Sequence, residues 1–159
     1  MNIKNLLILS IFAFTSVSVW SADKSADEHL KALSSGTDEE KIAACRFLGN
    51  DKKDESAIPE LINLLKATDN PKVAAATAVA LGYIKKSGAS TKALKDKIMS
   101  ENDSNVVYAA LLALYNISVE NKSVEDDTKA AVEYADTHHR QNEFVADALD
   151  KIKKKAGKK

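Results

Sequence analysis

The chain has a single cysteine, Cys45, so no intrachain disulfide can form, even in an oxidising compartment. Two prolines and five glycines in 159 residues exclude collagen-like and low-complexity linker architectures and leave long stretches free to be helical. Charge of one sign is also lacking: 23 basic residues face 23 acidic ones. That balance argues against binding nucleic acid through a global electrostatic field. No stretch alternates like a β-strand, no glycine-rich loop could cradle a phosphate, and no serine sits in a strand-turn-helix elbow. Cohesion must come from helices packed through apolar side chains.

Met1 to Ala22 reads as a secretory signal. Lys4 is its only charge, Leu6 to Val17 is a nearly unbroken apolar run, and Val19-Trp20-Ser21 supports a cut after Ser21. The run is shorter than the roughly 20 residues that span a bilayer, so no transmembrane segment is expected in the mature chain. Losing Lys4 with the signal leaves one more acidic than basic side chain. The expected division is a signal at 1–21, one helical domain at 22–155 and a basic tail at 156–159. Ile42-Ala43-Ala44-Cys45 mimics a lipoprotein cleavage box, but it follows Asp38-Glu39-Glu40-Lys41 rather than an apolar run and is read as chance. Cys45 is expected to be a small buried helix residue equivalent to Ala78 and Leu111.

What is present is a repeat. Val73-Ala74-Ala75-Ala76-Thr77-Ala78-Val79-Ala80-Leu81-Gly82-Tyr83-Ile84 returns 33 residues later as Val106 to Ile117, and Glu40 to Gly49 precedes it by the same step. Val73, Ala76, Ala80, Leu81 and Ile84 form one helical face, matched by Val106, Ala109, Ala113, Leu114 and Ile117. A weaker fourth copy reads Phe144, Ala148, Leu149 and Ile152. Between the copies lie second helices marked by Ile58, Leu61, Ile62 and Leu65, by Leu94 and Ile98, and by Ala130, Ala131 and Tyr134; Leu30 and Leu33 open the array. Thr37 with Glu40 has capping-box spacing, Asn70 precedes Pro71, and Asp103 precedes Ser104, each where the repeat needs a helix start. Gly36 and Gly88 fall in connectors, and Lys85-Lys86 in a last turn. The expected fold is all-α, about four helix pairs and eight helices, because units repeated at this period bury their faces only against one another.

The pattern Val73, two positions, then Ala76-Thr77-Ala78-Val79-Ala80-Leu81-Gly82, preceded by Leu64-Leu65-Lys66 and Asp69, resembles the short HEAT-like repeats, including the phycobilin lyase-like type. The resemblance runs over about residues 26 to 155 and is strongest over 57 to 117. It implies a right-handed α-solenoid whose second helices line a concave face that holds proteins. Members serve as scaffolds, as chaperones and, in the lyase subset, as enzyme subunits. The arginine that usually follows the helix-start valine is replaced by Lys41, Ala74, Val107 and Asn142, so an arginine-to-acid ladder is not expected. The third copy carries Tyr108, Leu111, Leu112 and Tyr115 where the second has Ala75, Ala78, Val79 and Gly82. Either neighbouring repeats cover these bulky residues or they form an apolar-aromatic partner patch.

Chemistry-bearing clusters are few. His139, Asp136 and Glu143 could share a helix face and present a metal site, but adjacent His138 would point about 100° away, and the pair is read as a polar, solvent-facing helix start. His29 is read as solvated, Cys45 as inert. Lys151, Lys153, Lys154, Lys155, Lys158 and Lys159 form a basic helix end, with an anionic surface as the weaker reading. Asn102, Asn116 and Asn121 begin Asn-x-Ser triplets that carry meaning only in a eukaryotic secretory pathway, and the composition reads as bacterial. No catalytic residue, metal or cofactor is assigned. The reading is an exported, non-enzymatic scaffold for a protein or peptide of the cell envelope, with Glu60, Asn63, Lys92, Lys95 and Asp96 of the second helices, together with Tyr108 and Tyr115, as candidate contacts. The alternatives are an enzyme or enzyme subunit of lyase-like or metal-dependent type and a structural protein associated with the cell envelope.

Overall fold

Three helices of the repeat start on side-chain caps spaced 33 residues apart: Thr37, Asn70 and Asp103. Thr37 and Glu40 form both halves of a capping box, Asn70 Oδ1 accepts from the Lys72 amide at 2.9 Å with Pro71 in the first turn, and Asp103 Oδ1 accepts from the Asn105 amide at 2.8 Å. Each satisfies backbone donors that a helix start leaves open. The computed structural model describes residues 25–157, so the expected signal at 1–21 and Lys158 and Lys159 lie outside the described residues.

The described residues form eight α-helices: α1 (Ala26–Ser35), α2 (Asp38–Cys45), α3 (Ile58–Ala67), α4 (Pro71–Ile84), α5 (Ala89–Ser100), α6 (Ser104–Glu120), α7 (Asp126–His138) and α8 (Glu143–Ala156). A π-helical stretch, Arg46–Lys52, extends α2, and a 3₁₀ turn, Glu55–Ala57, leads into α3. The helices pack in pairs and form two layers, α1, α3, α5 and α7 in one and α2, α4, α6 and α8 in the other. Between the layers lie Leu33, Leu61, Leu65, Leu81, Leu94, Ile98, Leu114, Ile117, Leu149 and Ile152, all buried. Each such side chain contributes about 1.5–3 kcal/mol by leaving water.

The second layer is drawn together by small residues. A methyl added at Gly49 would stand 2.5 Å from Ala80 Cα, and one at Gly82 would stand 2.6 Å from Ala113 Cα. These are backbone atoms, so no rotamer change relieves the clash. The same contact, glycine against an alanine 31 positions on, thus recurs at successive seams. Cys45, Ala78 and Leu111 are all fully buried, as their equivalence requires.

Several details differ from the sequence reading. Val145, not Phe144, takes the core position of α8, because a helix entered at the Asn142 cap turns Val145, Ala148, Leu149 and Ile152 inward and leaves Phe144 60% exposed. On α7 the buried stripe is Thr128, Ala131, Val132 and Ala135, with Ala130 and Tyr134 only half-buried. Ala76 is half-exposed, while Ala74, Thr77 and Ala78 are buried, since α4 is covered on two sides by neighbouring helices. Lys85 lies beyond the last turn as a left-handed cap at φ 63°. Apolar packing dominates between repeats, supplemented at the rim by Lys85–Glu120 at 2.8 Å, Lys86–Glu55 at 3.0 Å and Asn70 Nδ2 donating to Asp38 at 2.7 Å. Exposed pairs of this kind contribute about 0–1 kcal/mol each.

Lys53 ends the π-helical stretch at φ 54°, a conformation that costs a side chain with a Cβ about 1 kcal/mol or more. Lys53→Gly should therefore raise the unfolding free energy by about 0.5–1 kcal/mol in urea titration.

Candidate partner-binding surface

The residues expected to contact a partner fall into three places. Glu60 and Asn63 are exposed on α3 and line a groove shared with α1 and α2. On α5, Lys92 is exposed but pairs with Asp96 at 3.0 Å one turn away. Lys95 does not stand outward: its side chain is mostly covered and bonds Asp127 of α7 at 2.6 Å, the contact that chiefly raises its pKa. The α5 charges are thus spent within the chain. Tyr108 and Tyr115 belong to the other layer, on α6.

The bulky third copy is a seam. Leu111 is fully buried, and Tyr108, Leu112 and Tyr115 are half-buried. The Tyr108 ring meets Phe144 of α8 edge-on, with centroids 6.1 Å apart. Lys151 on α8 has its pKa raised mainly by its hydrogen bond to the Asp147 carboxylate at 2.6 Å. Aromatic rings fill here the space that glycine and alanine close at the earlier seams.

The residues missed by sequence reasoning are the outward ones of the same layer. On α4, Lys72, Ala76, Val79 and Tyr83 run along the surface at helical spacing, and on α6 Asn105, Leu112, Asn116 and Val119 run beside them. Tyr83 is 42% exposed and Val119 39%, among the most exposed large apolar side chains of the described residues, together with Met99 and Phe144. The signal was available. Val79 and Leu112 are repeat equivalents, each half-buried against the core with its outer edge facing out, and assigning Ala76 to the core stripe hid their face. Arg46 of the first repeat and Asp147 with Lys151 of the fourth frame it with charge.

The chemical candidates are placed as follows. Cys45 is fully buried; desolvation pushes its thiol up to about 11, opposed by a 3.4 Å contact with Thr77 Oγ1, so it stays protonated. His29 is not simply solvated, since it stacks on Phe47 with centroids 4.1 Å apart. His138 and His139 sit at the end of α7, not at a helix start, and His139 is buried. Asp136 is taken by Lys153 at 2.8 Å and by Arg140, and among the described residues no group of three His, Cys, Asp or Glu side chains could hold a metal. None of their helices is long and apolar enough to cross a membrane.

Two layers of paired helices, with equivalent contacts recurring once per repeat and one face left uncovered, define a helical-repeat protein. A model of HEAT repeats matches residues 26–115, more than half of the sequence, and the chain belongs to the HEAT repeat family. The match ends at Tyr115, and α7 and α8 lie beyond it. No curated protein and no solved structure matches the chain.

Burial lowers the His139 pKa below its ordinary 6.5, and nearby His138 adds to this, against a hydrogen bond to the Ile98 backbone and the Glu101 carboxylate. A folded-state pKa below the unfolded one means that the unfolded chain takes the proton first, so stability is complete above 6.5 and falls as pH drops through and below it. The melting temperature should decline between about pH 7 and pH 5.5, and less steeply in His139→Gln.

Proposed function

We propose that this chain is an exported, non-enzymatic HEAT-repeat scaffold that holds a protein or peptide on the outward face of α4 and α6. The observation that carries this reading is an apolar stripe in the middle of the array, made of exposed Tyr83 and Val119 with half-buried Val79 and Leu112 beside them. Apolar side chains from successive repeats line up there, whereas charges on α5 are neutralised by neighbours. Tyrosine suits such a face because it combines large contact area with a polar tip.

The geometry of the layers supports the same face. Glycine-alanine contacts bring α2, α4 and α6 closer than larger side chains would allow, and the more closely spaced layer of a stack lies on the inside of its curve. A concave apolar surface framed by Arg46 on one side and Lys151 on the other fits an elongated segment with aliphatic or aromatic anchors. Export rests on the apolar segment at 1–21, with cleavage near Ser21 and residence in the periplasm or outside the cell; the partner is then a component of the cell envelope. Inert placement of Cys45 and internal pairing of Asp136 remove two starting points for catalysis.

Tyr83→Ser combined with Leu112→Ser should lower retention of an envelope partner by at least about tenfold, the loss of roughly 1.4 kcal/mol of contact energy. Tyr83 is exposed but Leu112 packs half-buried against the core, so the double variant should stay folded while losing about 1–2 kcal/mol of unfolding free energy. Equal retention by the double variant and the unaltered chain would remove this face from the function.

A further inference from the structure

Around the groove between α1, α2 and α3 stand three polar side chains without a partner among the described residues. Lys41 enters from α2, and Glu60 and Asn63 from α3; none of the three forms a side-chain hydrogen bond or ion pair among the described residues, and Lys41 and Glu60 do not pair with each other. The floor is apolar, made by buried Leu33 and Leu64. The groove's hydroxyls, by contrast, are engaged: Ser34 donates to the Lys31 carbonyl at 3.0 Å, and Thr68 Oγ1 accepts from the Asn70 amide at 3.2 Å. On α5, by contrast, the charges are paired, as in Lys95–Asp127 and Lys97–Glu101.

The groove therefore offers one cation, one anion and one amide above an aliphatic floor. A lone carboxylate or a lone ammonium would satisfy one wall and meet a like charge on the other. A ligand carrying both on one carbon, with an aliphatic side chain turned to the floor, matches all three features: carboxylate to Lys41, ammonium to Glu60, and a remaining polar contact to the Asn63 amide. Size agrees. The space is about 220 Å³, below the roughly 300 Å³ at which pockets for drug-sized molecules begin.

We propose that this groove binds a zwitterionic aliphatic α-amino acid or the equivalent short peptide. The site is separate from the α4–α6 face and does not depend on it. The test titrates the purified full chain by calorimetry with leucine, alanyl-leucine, leucinamide and N-acetylleucine, and follows backbone amide shifts of Leu33, Asn63 and Leu64. Leucine or alanyl-leucine should bind, and the two blocked analogues should bind at least about tenfold more weakly, because each leaves one groove charge unpaired. Lys41→Met and Glu60→Gln should each weaken the better ligand by a similar factor at unchanged melting temperature, while Tyr83→Ser should leave it unaltered. Binding of leucine alone identifies the free amino acid as the ligand, and tighter binding of alanyl-leucine identifies the peptide. No binding by either, equal binding of a blocked analogue, or full affinity in both Lys41→Met and Glu60→Gln would overturn the assignment.

Discussion

The array depends on how closely its second-layer helices approach each other. At Gly49 facing Ala80, and again at Gly82 facing Ala113, backbone meets backbone with no room for a further methyl. Side chains of ordinary size would set the helices about 8–10 Å apart, and removing the side chain on one partner lets them come nearer. Close spacing explains why α4 is so rich in alanine, since α2 and α6 flank it. It also sets neighbouring outward stripes side by side, so that Val79 and Tyr83 lie next to Leu112 and Val119 instead of forming isolated exposed residues. The third seam departs from this rule. Tyr115 stands one repeat after Gly82, and α6 and α8 are joined instead by half-buried aromatics, with Phe144 left largely in solvent.

Much of this architecture is legible in the sequence because the repeat records it more than once. Thr37, Asn70 and Asp103 announce helix starts chemically and at constant spacing, and Leu48, Leu81 and Leu114 hold equivalent buried positions. Where only one copy exists, the reading slips. Phe144 outranks Val145 on hydrophobicity, yet burial in α8 is decided by the angle at which the helix leaves Asn142. The π-helical stretch after Cys45 changes hydrogen-bond register without any composition cue such as proline. His139 is polar by type but buried by position, because α7 ends where α5 covers it, and its pKa responds to Ile98 and Glu101 of that neighbouring strip.

The candidate site was legible only in part, for a related reason. Outward charges on α5 look available in a linear sequence, but Lys92 and Lys95 are neutralised by acids one turn or one repeat away. Apolar residues on α4 and α6 look like core because the helix is apolar nearly all round; burial separates Leu81, which faces the interior, from Tyr83, which does not. The result is a division between layers. Between α5 and α7 the Lys95–Asp127 pair helps hold adjacent repeats in register, while α4 and α6 approach through small residues, pair Lys85 with Glu120 at their ends and present a partly apolar surface. Lys41 and Glu60 instead meet around the groove above Leu33 and Leu64, a separate site from the α4–α6 face.

The most direct test of the account is the unfolding free energy of Gly82→Ala, measured by urea denaturation against the unaltered chain. In an unconstrained helix interior, alanine stabilises relative to glycine by roughly 0.5–1 kcal/mol. Here the added methyl must part α4 from α6 against Ala113, and the expected result is a net loss of about 1–3 kcal/mol. A variant as stable as the original, or more so, would contradict close glycine-alanine packing as the constraint on which the array is built.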